Sequence, residues 1–321
     1  MKTIHERVTI DDARAAQKRI ARDALRTPLV RLNVEVDGKE IYLKLENLQP
    51  IGSFKIRGAS NAIALAESDD LRKGVWTASA GNMAQGVAWV TRRLGIPCTV
   101  VVPDKAPQAK REAIQRLGAK TVAVPFDDWL EVFRTRRYEG LDGLFVHAFS
   151  DRGVMAGNAT IGLEVVEDLP DLDAVVVPYG GGGLISGIAS VMREVSPDVR
   201  IFASEVETAA PLRASLSAGK SVEVEYIPSF IDGIGAPFVF DEMFDLVRPL
   251  INGSLVSTVQ EVANALRLLI ERNHVVAEGA GSAPVAAALS GDAGSGKIVC
   301  IVSGGNIDIS KVAQILSGEV P

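Results

Sequence analysis

Four consecutive glycines, Gly180 to Gly183, are the residues of this chain best suited to holding a charged ligand. They follow the apolar run 174–177 and the pair Pro178-Tyr179, and they open the helix-like stretch 184–195. Glycine lets a backbone turn tightly and leaves its N–H groups unshielded, and a helix N-terminus adds partial positive charge. Capture of a phosphate group is the chemistry expected there. A merely flexible turn explains the run poorly, because four glycines cost conformational entropy that nothing offsets unless bare backbone is needed. A dinucleotide site is the rival reading. Gly181, Gly183 and Gly187, with Glu205 at the end of the next strand, imitate that fingerprint. Yet the third glycine of G-x-G-x-x-G is missing, since Ile185 or Ser186 stands in its place, and the motif sits in mid-chain.

A second cluster, Gly52-Ser53-Phe54-Lys55-Ile56-Arg57-Gly58-Ala59, sets a lysine among small residues and an aromatic, just before an apolar helix. Alone, such a lysine reads as a surface cation at a helix start. Its company argues for more. Lys44-Leu45-Glu46-Asn47-Leu48-Gln49-Pro50 precedes it, and Ser79-Ala80-Gly81-Asn82-Met83-Ala84-Gln85-Gly86 follows at the start of another helix. Val302-Ser303-Gly304-Gly305-Asn306 then comes after a strand near the C-terminus.

In this order the motifs resemble the fold-type II pyridoxal phosphate enzymes, specifically the serine/threonine dehydratase and serine racemase branch. The likeness runs from Arg26-Thr27-Pro28-Leu29 to the end of the chain. It implies an α/β chain of the tryptophan synthase β-like kind, with two domains of open, mainly parallel twisted sheets flanked by helices. The cofactor implied is pyridoxal 5'-phosphate. Lys55 would form the internal Schiff base and later act as the base at Cα, which an amine can do only when desolvation lowers its pKa. Phe54 would lie on one face of the pyridine ring and the backbone at Gly233 on the other, with Gly180, Gly181, Gly182 and Gly183 on the phosphate. Asn82 would bond the ring's 3-oxygen, and the loop Ser79, Ala80, Gly81, Asn82, Met83 would take the substrate carboxylate. Ser303 would meet the pyridine nitrogen. A hydroxyl cannot keep that nitrogen protonated, so prompt loss of a β-substituent is favoured over a long-lived carbanion, with the cofactor phosphate as the acid for the departing hydroxyl. Glu278 matches a family acid near the cofactor, although a helix-start capping carboxylate is an equal reading.

The implied function is that of a dehydratase, or ammonia-lyase. A β-hydroxy amino acid loses water and the resulting enamine hydrolyses to a 2-oxo acid and ammonia. A β-replacement synthase, an amino-acid racemase, a nicotinamide-dependent oxidoreductase and a non-catalytic amino-acid sensor are the alternatives. The partner expected is the small-molecule substrate, and the resemblance implies a homodimer.

Several positions depart from the family pattern. The asparagine loop usually reads Ser-Ser-Gly-Asn-His, and here Ala80 replaces the second serine, which in the racemases works the face of Cα opposite the lysine. Efficient racemisation is therefore not expected. Met83 replaces a histidine, and Tyr179 precedes the glycines; with Ala80 they predict a less polar pocket and a bulkier β-hydroxy substrate, aromatic ones such as phenylserine included. Relatives bind a divalent cation at positions that are Glu205, Ala209 and Pro211 here. Proline supplies no carboxylate, so no tight Mg²⁺ or Ca²⁺ site is expected, with Glu207 as the available substitute. Asn158-Ala159 stands where the family prefers Gln-Gly, a change read as neutral. Because the sequence stops soon after Asn306, no regulatory domain and no end-product feedback are expected.

The elements that must carry these residues alternate along all 321 residues. Candidate strands are 41–45, 98–102, 121–124, 174–177, 200–203 and 297–302. Candidate helices are 11–24, 58–67, 83–94, 108–117, 156–167, 184–195, 259–272 and 281–290. Several strands are apolar at every residue, the pattern of parallel strands covered on both faces. Residues 52–149 are expected to form a small domain carrying the lysine and the carboxylate loop. It would be inserted into a large domain made of 1–51 and 150–321, with the cofactor between. A hydrophobic content of 47% excludes disorder, and a net charge of −6 argues against a nucleic-acid partner. Cys98 and Cys300 read as buried small hydrophobes, and His5, His147 and His274 never cluster, so zinc is not expected. The N-terminus lacks an apolar leader core. The uncharged span 174–192 contains Pro178 and the glycines, which suit a strand, turn and helix better than a membrane crossing. The cytoplasm is the expected location. Arg134, Arg136 and Arg137, like Lys18, Arg19, Arg22 and Arg26, are read as solvated faces.

Overall fold

In the computed structural model residues 6–321 are described, so His5 lies outside the described residues. The chain opens with α1 (Ile10–Ile20), β1 (Leu29–Arg31), β2 (Lys39–Leu45), α2 (Lys55–Ala64), α3 (Ser68–Arg72), β3 (Val75–Ala78) and α4 (Asn82–Leu94). Next come β4 (Cys98–Pro103), α5 (Gln108–Arg116), β5 (Lys120–Val124), α6 (Phe126–Thr135), β6 (Leu144–Phe145), α7 (Arg152–Asp168), β7 (Ala174–Pro178) and α8 (Gly183–Val195). β8 (Arg200–Val206), α9 (Pro211–Ala218), α10 (Asp241–Val247), β9 (Gly253–Ser257), α11 (Val259–Asn273), α12 (Gly279–Ser290), β10 (Gly296–Val302) and α13 (Ile309–Leu316) complete it. Every candidate strand and helix falls on an element of its own type. The short elements β1, β3, β6, β9, α3, α6, α9, α10 and α13 carried too few periodic positions to be read.

The strands form two sheets. The larger has the order β1-β2-β10-β7-β8-β9, with β1 antiparallel to β2 and every other pairing parallel. The smaller, β5-β4-β3-β6, is wholly parallel and lies between residues 75 and 145. Successive side chains of a strand point to opposite faces. Val175, Val177, Ile201, Ala203, Val299 and Ile301 accordingly pack beneath α1, α7, α8 and α10. Their neighbours Ala174, Val176, Ile298, Cys300 and Val302 pack beneath α11, α12 and α13. With both faces covered, no polar position remains to produce an alternation. A third core, around Val75, Trp76, Val100 and Val101, fills the smaller sheet.

The uncharged span 174–192 resolves into β7, a glycine turn and α8, and no helix among the described residues is long and apolar enough to cross a membrane. Both cysteines are free and buried.

Two features fix the helix that bears Lys55. Gly157 on α7 lets the backbones of α7 and α2 meet, since a Cβ there would lie 2.3 Å from the Arg57 carbonyl oxygen. Beneath that contact is a buried four-charge cluster. Arg57 donates from Nε and Nη2 to the two Glu46 oxygens, each at 2.8 Å, and to Glu164 at 2.6 and 2.9 Å. Lys44 Nζ lies 2.6 Å from Glu164 Oε2. Despite burial, which opposes any charge, the Arg57 guanidinium and the Thr27 hydroxyl hold the Glu46 carboxyl below the usual carboxylate range.

Candidate active site

Lys55 is the first residue of α2 rather than the residue before the helix, and it is no surface cation. Its Nζ lies 5.0 Å from the centre of the Phe54 ring and donates to the Ala148 carbonyl at 2.7 Å. Burial lowers the amine's pKa to about 8, against a smaller opposing pull from Glu278. About a tenth of the amine is then neutral at pH 7, far more than for an ordinary lysine, which gives it a nucleophilic lone pair.

The amine opens on a cavity of about 380 Å³, within the range of small-molecule sites. The residues assigned by sequence to the cofactor and the substrate carboxylate line it: Phe54, Lys55, Ser79, Ala80, Gly81, Asn82 and Met83 from one side. Gly180, Gly181, Gly182, Gly183, Gly233, Glu278 and Ser303 line it from the other. Two helix N-termini face into this space without a side-chain cap. α8 starts at Gly182, whose φ of 88° is the left-handed region that glycine enters freely. α4 starts at Gly81, next to the Ser79 hydroxyl that accepts from Gly81 N at 3.2 Å. Each presents unpaired N–H groups and the positive end of a helix dipole, so the cavity offers two anion sites around one amine.

Glu278 resolves an ambiguity. It occupies the N-cap position of α12, yet its carboxylate makes no capping bond and turns into the cavity, where Asn82 Nδ2 donates to Oε1 at 2.8 Å. Burial and the nearby Asp232 push its carboxyl up to about 7, against the Asn82 hydrogen bond. Asn82 spends one amide proton on Glu278 and keeps the other for the cavity, while its Oδ1 accepts from Asn306 Nδ2 at 2.8 Å. Asn306 thus orients Asn82, a role the Val302-Ser303-Gly304-Gly305-Asn306 motif contained but spacing alone could not assign. Phe54 N donates to the Ser303 carbonyl at 3.0 Å, which ties the lysine segment to the serine loop.

Two of the three expected sources of low polarity behave differently from the sequence reading. Met83 touches the cavity, but its side chain is 1% exposed and packs mainly in the smaller sheet's core. Tyr179 does not line this cavity; it shares strand parity with Val175 and Val177, packs against their core and borders the adjoining chamber. Only Ala80 of the three stands in the lining as expected. The cavity's unforeseen residues include Lys110 and Asp232, joined by a 2.6 Å ion pair, and an aromatic group on α6, Phe126, Trp129 and Phe133. Their spacing of three and then four residues was the available signal, since it places them on one helical face.

The basic run after α6 is only partly solvated. Arg136 is half-buried and donates to the Ser150 hydroxyl at 3.0 Å, and Arg134 lies over the Phe238 ring.

Glu205 is not available to a ribose or to a cation. It is 1% exposed, and its carboxylate accepts from Leu212 N at 2.9 Å, Arg213 N at 2.8 Å and the Ser254 hydroxyl at 2.5 Å. Glu207 accepts from Val259 N at 2.8 Å, at the start of α11. These residues do not fit a hard cation, which needs several oxygens free of other partners.

The cavity's residues do fit pyridoxal phosphate: a lowered lysine amine, an uncapped glycine loop at a helix N-terminus, a flanking aromatic ring and a serine on the opposite loop. The family description "Pyridoxal-phosphate dependent enzyme" matches residues 20–304. An L-threonine ammonia-lyase of Thermotoga maritima is 42% identical over 315 residues, which span 97% of this chain and 78% of that protein. A catabolic L-threonine dehydratase of Staphylococcus aureus is 36% identical over 318 residues, 96% of this chain and 90% of that protein. Among solved structures, maize serine racemase superposes with a TM-score of 0.87 at 34% identity, covering 98% of both chains.

Proposed function

The chain belongs to the pyridoxal-phosphate-dependent enzymes, and from that premise we propose that it is an ammonia-lyase converting a β-hydroxy amino acid to a 2-oxo acid and ammonia. The observation that carries this reading is the amine of Lys55, free of any ion pair among the described residues, set between two uncapped helix N-termini in one cavity whose other amine, Lys110, is paired with Asp232. One terminus, at Gly180 to Gly183, suits the cofactor phosphate. The other, in the loop from Ser79 to Met83, suits the substrate carboxylate.

When bound, pyridoxal phosphate supplies an electron-withdrawing ring next to Cα. Lys55 would hold it and, once free, would be placed to take the proton from Cα. Phe54 and the backbone at Gly233 would flank the ring, the remaining Asn82 proton would be available to its 3-oxygen, and Ser303 would offer its nitrogen a neutral hydroxyl. Glu278 holds Asn82 and the charge balance beside it. Without a strongly protonated ring, charge at Cα is best discharged by expelling the β-hydroxyl. Water leaves, and the enamine takes water back as it becomes 2-oxo acid and ammonia. Ala80 carries no proton for the second face of Cα, which sets this chain apart from a racemase despite the structural likeness. In the same reading 52–149 is the small domain, the cofactor sits at its seam with the large one, and the protein is a homodimer. The β-substituent taken is larger than serine's hydrogen.

Holoprotein supplied with L-threonine or L-serine is expected to release 2-oxo acid and ammonia in equal amounts. Binding without ammonia release would make it a sensor. A thioether formed from O-activated serine and a thiol, in preference to 2-oxo acid, would make it a synthase. Because the carboxylate of Glu205 already accepts three hydrogen bonds from the protein and Pro211 supplies no carboxylate, dialysis against EDTA is expected to leave this activity within about twofold of its starting value. Loss of activity restored by Mg²⁺ or Ca²⁺ would overturn that account.

A further inference from the structure

A second chamber of about 480 Å³ adjoins the reaction cavity. The two share Trp129, Phe133, Phe149, Gly180, Gly181 and Ala236 in their walls. Rings form a continuous lining: Trp129 and Phe133 at 4.8 Å between centres, Phe133 and Phe149 at 5.6 Å, Phe149 and Phe240 at 5.3 Å, Phe240 and Phe238 at 5.3 Å. Two polar atoms of this wall, the Tyr179 hydroxyl and the Trp129 indole N–H, are buried with no hydrogen-bond partner. Tyr179 itself is 2% exposed. Tyr179 and Trp129 thus complete an aromatic wall around a space large enough for an apolar group.

We propose that this chamber receives the β-substituent of the substrate, and that the preferred substrates are 3-aryl-3-hydroxy-2-amino acids. The inference rests on the ammonia-lyase reading above and deepens it. A serine or threonine substrate brings only a hydrogen or a methyl group toward this space. A phenyl ring packs edge-to-face or offset against the Trp129, Phe133 and Phe149 rings. The chemistry is the same elimination. The Cα proton passes to Lys55, the Cβ–O bond breaks, water leaves, and hydrolysis of the enamine yields an aryl-2-oxo acid and ammonia. Conjugation of the forming double bond with the ring aids the departure.

The test compares kcat/KM for threo-phenylserine and L-threonine in the wild-type holoenzyme and in Leu130→Trp. Leu130 lines the second chamber and not the first. In the wild type, phenylserine is expected to exceed threonine by tenfold or more, on the order of what burying a ring contributes to discrimination. Leu130→Trp fills the chamber and is expected to lower that ratio at least about tenfold, with threonine turnover kept. Inhibition of threonine turnover by L-phenylalanine, which has the ring but no hydroxyl to lose, gives a binding readout and should weaken in parallel. If threonine is turned over but phenylalanine does not compete and the ratio is unmoved by Leu130→Trp, the chamber assignment fails and the ammonia-lyase reading stands. If no substrate releases 2-oxo acid, both fall.

Discussion

Replacing Lys55 with alanine is expected to lower 2-oxo acid release by about four orders of magnitude, the upper range for loss of a group that acts as both nucleophile and base. The same variant should lose the covalent hold on pyridoxal phosphate. Borohydride reduction followed by peptide mapping should then label the segment carrying Lys55 in the wild type and nothing in the variant. Urea midpoints control for misfolding, since the variant loses the hydrogen bond from Lys55 Nζ to the Ala148 carbonyl. Lys55→Arg is the second check. It keeps a cation at the position but offers no free amine, so it should be as inactive as the alanine variant. The lowered pKa adds a directional test. With the amine titrating at about 8, its neutral fraction falls roughly tenfold for each pH unit below that value and levels off above it. Recombination of apoprotein with the cofactor should slow with the same profile as pH drops from 8 to 6. A rate flat across that range, or a label at another lysine, would remove Lys55 from the chemistry.

How much of this site could be read from sequence depends on whether a residue acts through its neighbours in the chain or through distant ones. Lys55, the 79–83 loop, the four glycines and Ser303 were legible because each belongs to a local motif whose backbone shape the sequence dictates. Glu278 was half legible. Its helix-start position was clear, but only packing against Gly304 and Asn82 decides that the carboxylate faces the cavity instead of capping α12. The wall that Tyr179 joins was not legible, for a physical reason. β7 is buried on both faces, so it lacks the polar alternation that would say which side position 179 takes. Position parity with Val175 and Val177 contained the answer. The chamber wall on α6 was overlooked because Asp127, Asp128 and Glu131 interrupt Phe126, Trp129 and Phe133, leaving no apolar run to mark an element there.

The buried charges beneath α2 were the least legible part, and they make the second large prediction. Lys44, Glu46 and Arg57 were visible as motif members, but Glu164 lies 107 residues beyond Arg57, and no periodicity links them. Their pairing is what fixes α2, and with it Lys55, against α7 and β2. Arg57→Met leaves two buried carboxylates sharing the one cation of Lys44, and it is expected to cost about 3–5 kcal/mol of stability. A urea midpoint series on the holoprotein measures this. The larger part of that cost is the desolvation of a stranded charge rather than the worth of the lost bonds, so a second change should restore it. Arg57→Met combined with Glu46→Gln leaves Lys44 and Glu164 as a balanced pair at 2.6 Å, and recovery of about half the loss or more is expected. Additive losses in the double variant would mean that geometry, not charge balance, holds the helix in place. Recovery would instead show that the position of the reactive lysine depends on electroneutrality two residues along its own helix.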